Sequence, residues 1–547
     1  VRSHSLARAA LRRLRIPSLL AFPMSQPNPP AAPADDGLVF TGRFAGGLLG
    51  DLRRRLPHYV DDMTQGFHPK VLASTLFLFF ACLANAIAFG GLTGVVTDGA
   101  IGTVEMIVAT AIGGIVFALT SGQPLTLLGG TGPIVVFTGL LYTACKQFEL
   151  PFLTVYAWTG IWSGLLLVVL ALVDASAWMR HFTRFTDEIF ASLIAIIFIV
   201  EAVTSLFTPL VDGSAADTGL LTIVLGLGTF TLARGMRSFQ RSVYLWRTLR
   251  AFISDFGPAI AIALMTAFAV YEGSVKLMAP KIPEQLATTT GREWAVDLWA
   301  LPAWAIFACL GPALMAVILL YLDQNITTRL VNARSNRLRK GSGYHLDLLV
   351  VGLIIMGCSY FALPWLVAAT VHSLNHVKSL ATMRTSQNGG AAHEVIDHVR
   401  ENRISPLLIH VFIALSVLIL PLIKLIPMAV LFGLFLYMGL TTLSGNQFFE
   451  RVTLWVTDPA LYPKNHYTRI VSHWRIHLFT VIQALALGAL WVLKASAIGI
   501  LFPVLIAMLV PLRILMARWF KPEELHVLDS EEEEEADTDP PMLGSTL

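Results

Sequence analysis

The chain predicts an all-α polytopic membrane protein of about fourteen membrane segments, arranged as two halves of seven. Three observations carry this. Of 547 residues 55% are hydrophobic and 14% charged, with mean hydropathy +0.67, a composition too apolar for a soluble domain. Basic residues gather in short stretches between apolar runs. Two of those runs, the third and the tenth, are short or broken by glycine and proline, and they hold corresponding places in the two halves.

Residues 1–34 contain five arginines and no acid and include the Pro/Ala-rich SQPNPPAAPA. Such a stretch buries no core, so 1–40 is expected to be disordered. Residues 1–23 fit either an organelle transit peptide or sequence upstream of a start at Met24. Residues 41–69 form an amphipathic cytoplasmic segment carrying Arg53, Arg54 and Arg55. The transmembrane region follows over 70–520, with spans near 70–90, 101–120, 124–142, 152–173, 188–207, 219–233, 251–271, 301–323, 346–361, 364–378, 404–421, 426–442, 475–494 and 497–517.

The loops orient these spans. Arg234, Arg237, Arg241, Arg247 and Arg250 follow the sixth, and Arg329, Arg334, Arg337, Arg339 and Lys340 follow the eighth. The fifth and seventh are followed by Asp212 and Asp217, and by a balanced Glu272, Lys276, Lys281 and Glu284. Basic loops stay inside, so both termini are cytoplasmic; the plasma membrane is the expected location. The four cysteines sit in or beside apolar runs without metal-ligand spacing and read as packing residues. Residues 521–547, with five consecutive glutamates, read as a disordered acidic tail whose role is solvation or protein docking. Nothing points to nucleic acid.

The eighth span, Leu301–Thr327, carries one carboxylate, Asp323. At bilayer depth an aspartate costs about 2.5–3.5 kcal/mol, so it needs a cation, a proton, water or a helix end as partner. Two readings follow: a transport site, or a solvated residue at the headgroup layer. Thr327, one turn on, lies on the same helical face, and the pair would share a small cation. The two abnormal runs are Gln123–Phe137, QPLTLLGGTGPIVVF, and Ala362–Ser373, ALPWLVAATVHS. Pro133 and Pro364 suit the first turn of half-helices, whose open backbone donors and positive dipole ends attract anions. A carboxylate beside two such ends predicts coupled binding of an anion and a cation; the plainer reading is that glycine and proline are common in membrane helices. An intramembrane hydrolase would need a second catalytic group at matched depth, and a channel would not need paired broken helices.

At these residues the chain resembles the bicarbonate transporter family of band 3 anion exchangers and sodium-bicarbonate cotransporters. The matching stretches are TGRFAGGLLGDLRRRLPHY from Thr41, AFGGLTG from Ala88, GQPLTLLGGTGP from Gly122, DASAWMRHFTRFTDEIFASLIAIIFI from Asp174, ISDFGPAIAI from Ile253, KGSGYHLDLLVVG from Lys340, IPMAVLFGLFLYMGLTTLSGNQ from Ile426 and WRIHLFTVIQ from Trp474. The resemblance implies two inverted repeats, a core domain (about 70–173 and 301–421), a gate domain (about 188–271 and 426–517) that makes a homodimer, and elevator-type alternating access. It implies a secondary transporter rather than an enzyme, moving bicarbonate or carbonate, with sodium as a coupled substrate rather than a cofactor. Asp323 and Thr327 would be sodium ligands, with Thr131 and Thr370 beside them. Thr131, Gly132, Pro133, Ala368, Ala369, Thr370 and His372 would line the anion site. Exchangers of the family carry Glu at the position of Asp323 and Arg at that of His372, so Asp323 resembles the sodium-coupled branch. His372 matches neither branch, Thr138 stands where the family usually places Glu, and the fifth span ends EAVTSL without the family's lysine. Sodium-independent chloride/bicarbonate exchange and proton-coupled borate transport therefore stand as the alternatives.

Overall fold

A computed structural model describes residues 37–213, 215–388, 391–463, 465–496 and 498–529. The disorder expected of 1–36 and 530–547 falls outside the described residues. Each of the fourteen apolar runs overlaps a helical segment: α1 (Pro69–Val96), α2 (Thr103–Thr120), α3 (Gly132–Gln147), α4 (Phe152–Leu172), α5 (Arg184–Val211), α6 (Ala216–Phe239), α7 (Arg247–Glu272), α8 (Ala303–Val331), α9 (Tyr344–Tyr360), α10 (Thr370–Leu380), α11 (Ile404–Ile423), α12 (Met428–Leu443), α13 (His473–Lys494) and α14 (Gly499–Met516). Among the described residues ten are long and apolar enough to cross a bilayer, or up to eleven when α12 is joined to Gln447–Thr453, bent from it by 76°. The others are shorter: α3 and α12 have 16 residues, α9 has 17 and α10 has 11.

Local chemistry sets several helix starts. Pro69 opens α1, where its missing N–H is not needed, and His68 Nδ1 accepts from the Lys70 amide at 3.1 Å. Glu105 folds back onto the Gly102 amide at 3.0 Å to begin α2. Asp51 caps α9 from outside it, accepting from His345 N at 2.7 Å and Leu346 N at 3.0 Å.

Two packing groups result. In one, α4 lies along α9 and α8, while α1 and α2 pack on α11. The α4–α9 approach is close because a Cβ on Gly164 would sit 2.5 Å from Gly352 O, the small-residue contact that lets membrane helices touch backbone to backbone. In the other, α5 and α6 pack on α12, α6 on α7, and α13 on α5.

Within the first group two short strands meet. β1 (Leu128–Gly129) precedes α3 and β2 (Val367–Ala368) precedes α10; they pair antiparallel, Leu128 opposite Ala368 and Gly129 opposite Val367. Non-helical backbone at membrane depth survives only where protein satisfies it. Here each break satisfies the other: Ala369 N donates to Leu127 O at 2.8 Å, and Leu127 N donates to Ser373 Oγ at 3.0 Å. A hairpin, β3 (Ala381–Asn388) and β4 (Ala391–Val399), joins α10 to α11.

Two expectations are corrected. Pro133 sits in the first turn of α3, but Pro364 lies in the extended run before β2, because α10 begins only at Thr370. The tail does not begin at Lys521: Pro522–Asp529 is helical, since Leu525 and Leu528, three apart, bury one face, and Asp529 accepts from Phe185 N at 3.0 Å and pairs with Arg513.

The segment before α1 folds as helices Gly46–Arg55 and Tyr59–Thr64. Its basic cluster is split. Arg53 is exposed, whereas Arg55 is buried between Asp62 and Glu401, each at 3.1 Å.

Candidate transport site

The β1–β2 crossing places the starts of α3 and α10 beside the middle of α8. Asp323 lies eight residues before the end of α8 and keeps 7% of its surface, so it is a buried residue inside the helix and not a solvated one at its end. Its Oδ2 accepts from Thr131 Oγ1, at the N-terminus of α3, at 2.7 Å. One turn on, Thr327 is fully buried; its hydroxyl lies 2.6 Å from Thr370 Oγ1, the first residue of α10, and 3.2 Å from Ala368 O. One carboxylate, three hydroxyls and one carbonyl thus converge from both halves of the chain. Such an oxygen-only set suits a small hard cation. Among the described residues no three His, Cys, Asp or Glu gather as a metal site, and Asp323 has no ion-pair partner.

The helix starts supply the opposite polarity. Neither Thr131 nor Ala369 caps its helix through a side chain. The first-turn amides of Gly132 and Ile134 in α3, and of Thr370, Val371 and His372 in α10, therefore have no helical acceptor, while Pro133 carries no N–H. The resemblance places Ala368 and Ala369 in the lining of the anion site, but neither has a free amide to offer an anion. Ala368 N is held by Gln324 Oε1 at 2.9 Å and Ala369 N by Leu127 O at 2.8 Å, so the open donors begin at Thr370. His372 lies in the first turn of α10, with Nε2 3.3 Å from Ala81 O of α1.

Sequence reasoning overlooked the residues that hold this arrangement. Gln324, fully buried, grips β2 and donates to Thr328 at 3.2 Å. His376 spans from Leu125 O at 2.9 Å to Ser405 Oγ at 2.7 Å. Asn85 on α1 donates to Gly130 O at 3.3 Å; its signal was available, as the only amide side chain in a 28-residue apolar helix.

The family described as "HCO3- transporter integral membrane domain" matches residues 43–213 and 208–533, nearly all of the region just described. The chain belongs to the HCO3- transporter family. The family and the relatives found are membrane anion transporters, not enzymes. Among them, band 3 anion transport protein of Rattus norvegicus is 39% identical over 524 residues, covering 91% of this chain and 56% of the relative. Anion exchange protein 3 of Oryctolagus cuniculus is 39% identical over 550 residues, covering 92% of this chain and 44% of the relative. The chain thus spans about half the length of the curated relatives it matches. Among solved structures, the transmembrane domain of the cyanobacterial bicarbonate transporter BicA superposes with TM-score 0.54 at 15% identity, covering 77% of this chain and 97% of that one. SLC26A9 gives TM-score 0.56 at 11% identity, covering 85% and 68%. At such identities these two speak for the fold, an inverted-repeat transporter fold.

Proposed function

We propose that the protein is a secondary-active transporter that moves bicarbonate or carbonate together with sodium by elevator-type alternating access. One observation carries the reading: a buried carboxylate without a cationic partner among the described residues, Asp323, hydrogen-bonded by Thr131 where two half-helices begin without side-chain caps. Two positive helix ends attract the anion, and the carboxylate repels it unless a cation binds as well. Each substrate therefore raises the affinity for the other, which is the thermodynamic content of symport. The group of α1–α4 and α8–α11 serves as core and that of α5–α7 and α12–α14 as gate, a division supported by how the helices pack. The gate supplies a homodimer contact, both termini are cytoplasmic in the plasma membrane, and the acidic tail is available for protein docking.

A second reading is sodium-independent exchange of chloride and bicarbonate, favoured by the names of the relatives, which are an anion transport protein and an anion exchange protein. Bicarbonate-dependent flux into proteoliposomes, with and without a sodium gradient, decides between them. Symport requires flux that follows the sodium gradient in wild type and loses that dependence in Asp323→Asn. Flux indifferent to sodium and driven by internal chloride establishes exchange instead.

A further inference from the structure

One face of α1 packs against the starts of α3 and α10. Ala81, Asn85 and Phe89 recur at four-residue spacing on that face. The Ala81 carbonyl meets His372 Nε2 at 3.3 Å. Phe89 presses on the turn before α3, since a Cβ on Gly130 would lie 3.0 Å from Phe89 Cβ. Between them Asn85 lies over the strand crossing itself: a Cβ on Gly129 would sit 3.0 Å from Asn85 Nδ2 and 3.4 Å from Ala369 Cβ. Asn85 therefore stands where β1 and the start of α10 come together.

Asn85 is buried, with 6% of the residue accessible. The amide nitrogen is committed, because only an N–H can serve the carbonyl of Gly130, at 3.3 Å. Oδ1 accepts no hydrogen bond among the described residues, yet it is not fully sealed from solvent. The two helix starts thus offer N–H donors, and Asn85, over the strand crossing that joins them, offers an amide oxygen fixed as an acceptor. A bare anion such as chloride, nitrate or carbonate has nothing to give that oxygen and meets its lone pairs. A singly charged oxyanion carrying its own O–H satisfies both sides: its charged oxygens take the helix amides and its hydroxyl donates to Asn85 Oδ1.

We propose that Asn85 is a specificity-determining residue that selects hydroxyl-bearing oxyanions, and so bicarbonate over carbonate, at the transport site. This rests on the site assigned above but not on sodium coupling. A pocket built to pair a substrate hydroxyl discriminates against analogues lacking it, because a polar group is then left unmatched.

Nitrate is the probe, being planar and singly charged like bicarbonate but without the hydroxyl. Uptake of labelled bicarbonate and nitrate by the full chain in proteoliposomes, with and without sodium, is compared for wild type, Asn85→Ala and Asn85→Leu. Thermal stabilisation by each anion in detergent serves as a second readout. The expected result is a wild-type preference for bicarbonate of about tenfold, one hydrogen bond's worth. In both variants that preference collapses because bicarbonate alone weakens, while nitrate is unchanged or improved. Asn85→Asp, protonated at mildly acid pH, restores an acceptor of the same shape and part of the preference. Equal weakening of both anions, or no change in either, overturns the proposal and leaves Asn85 as a packing residue. Flux that ignores sodium but keeps the Asn85-dependent preference removes the coupling reading and leaves this one standing.

Discussion

Asp323 and Thr131 form the hydrogen bond on which the proposed coupling turns. Asn at position 323 keeps volume and can still accept from Thr131, so Asp323→Asn should fold and assemble normally. Sodium-dependent flux should fall about tenfold or more, the loss expected for removing a charged ligand from a buried site; radiotracer uptake and thermal unfolding of the same preparation check both halves of the statement. His372→Arg places a permanent charge at the open start of α10, and its expected effect is anion flux less dependent on sodium, measured as the ratio of uptake with and without the gradient. How much of this was legible in the sequence depended on cost. Asp323 announces itself because an unpaired carboxylate in an apolar run is expensive. Thr131 and Thr370 lie inside the broken runs, but their place beside Asp323 was implied only by the family resemblance. Gln324 and Asn85 were missed, because an amide is cheap enough to pass as incidental and their partners, Ala368 N and Gly130 O, lie on distant segments.

At the level of elements, each of the fourteen apolar runs overlaps a helix, and ten of those helices among the described residues are long and apolar enough to cross a bilayer, since length and hydropathy decide where a chain can cross. What the runs could not give was pairing. The β1–β2 crossing depends on two segments meeting, and the β3–β4 hairpin on a polar stretch without a strong alternation. The segment before α1 shows how firmly local chemistry can fasten an element. Asp174 accepts from Gly47 N at 2.7 Å and from the amide and hydroxyl of Thr41. Burial pushes its carboxyl up, but those hydrogen bonds outweigh it and hold the group below the ordinary carboxylate range. A depressed value means that the ionised form stabilises the fold at neutral pH, and that this contribution is lost as pH falls through the folded value, below about 4. Hydrogen exchange over residues 41–55 should therefore stay slow from neutral pH down to about 4 and rise below it, after correction for the intrinsic pH dependence of exchange. Asp174→Ala should show exchange about tenfold faster already at neutral pH.

For the whole molecule, the two packing groups should move past one another if the carrier works as an elevator. Arg329 on α8 pairs with Asp187 at the start of α5, bridging the groups, whereas Ser74 on α1 and Ser379 on α10, with hydroxyls 2.5 Å apart, lie within one group. A disulfide between cysteines at 187 and 329 should arrest flux and release it on reduction. One between cysteines at 74 and 379 should leave flux within about twofold of wild type. The strand crossing has a further consequence, for how the protein is made. Leu127 and Ser373 are 246 positions apart in the chain. At ordinary rates of synthesis, the first broken run waits on the order of tens of seconds before the second emerges. Throughout that interval its peptide groups lack the partners they will finally have. Nascent chains halted before residue 367 should thus be held by insertion chaperones around 123–131, and the proposed transport site would come into being only late in translation, once the second half has met the first.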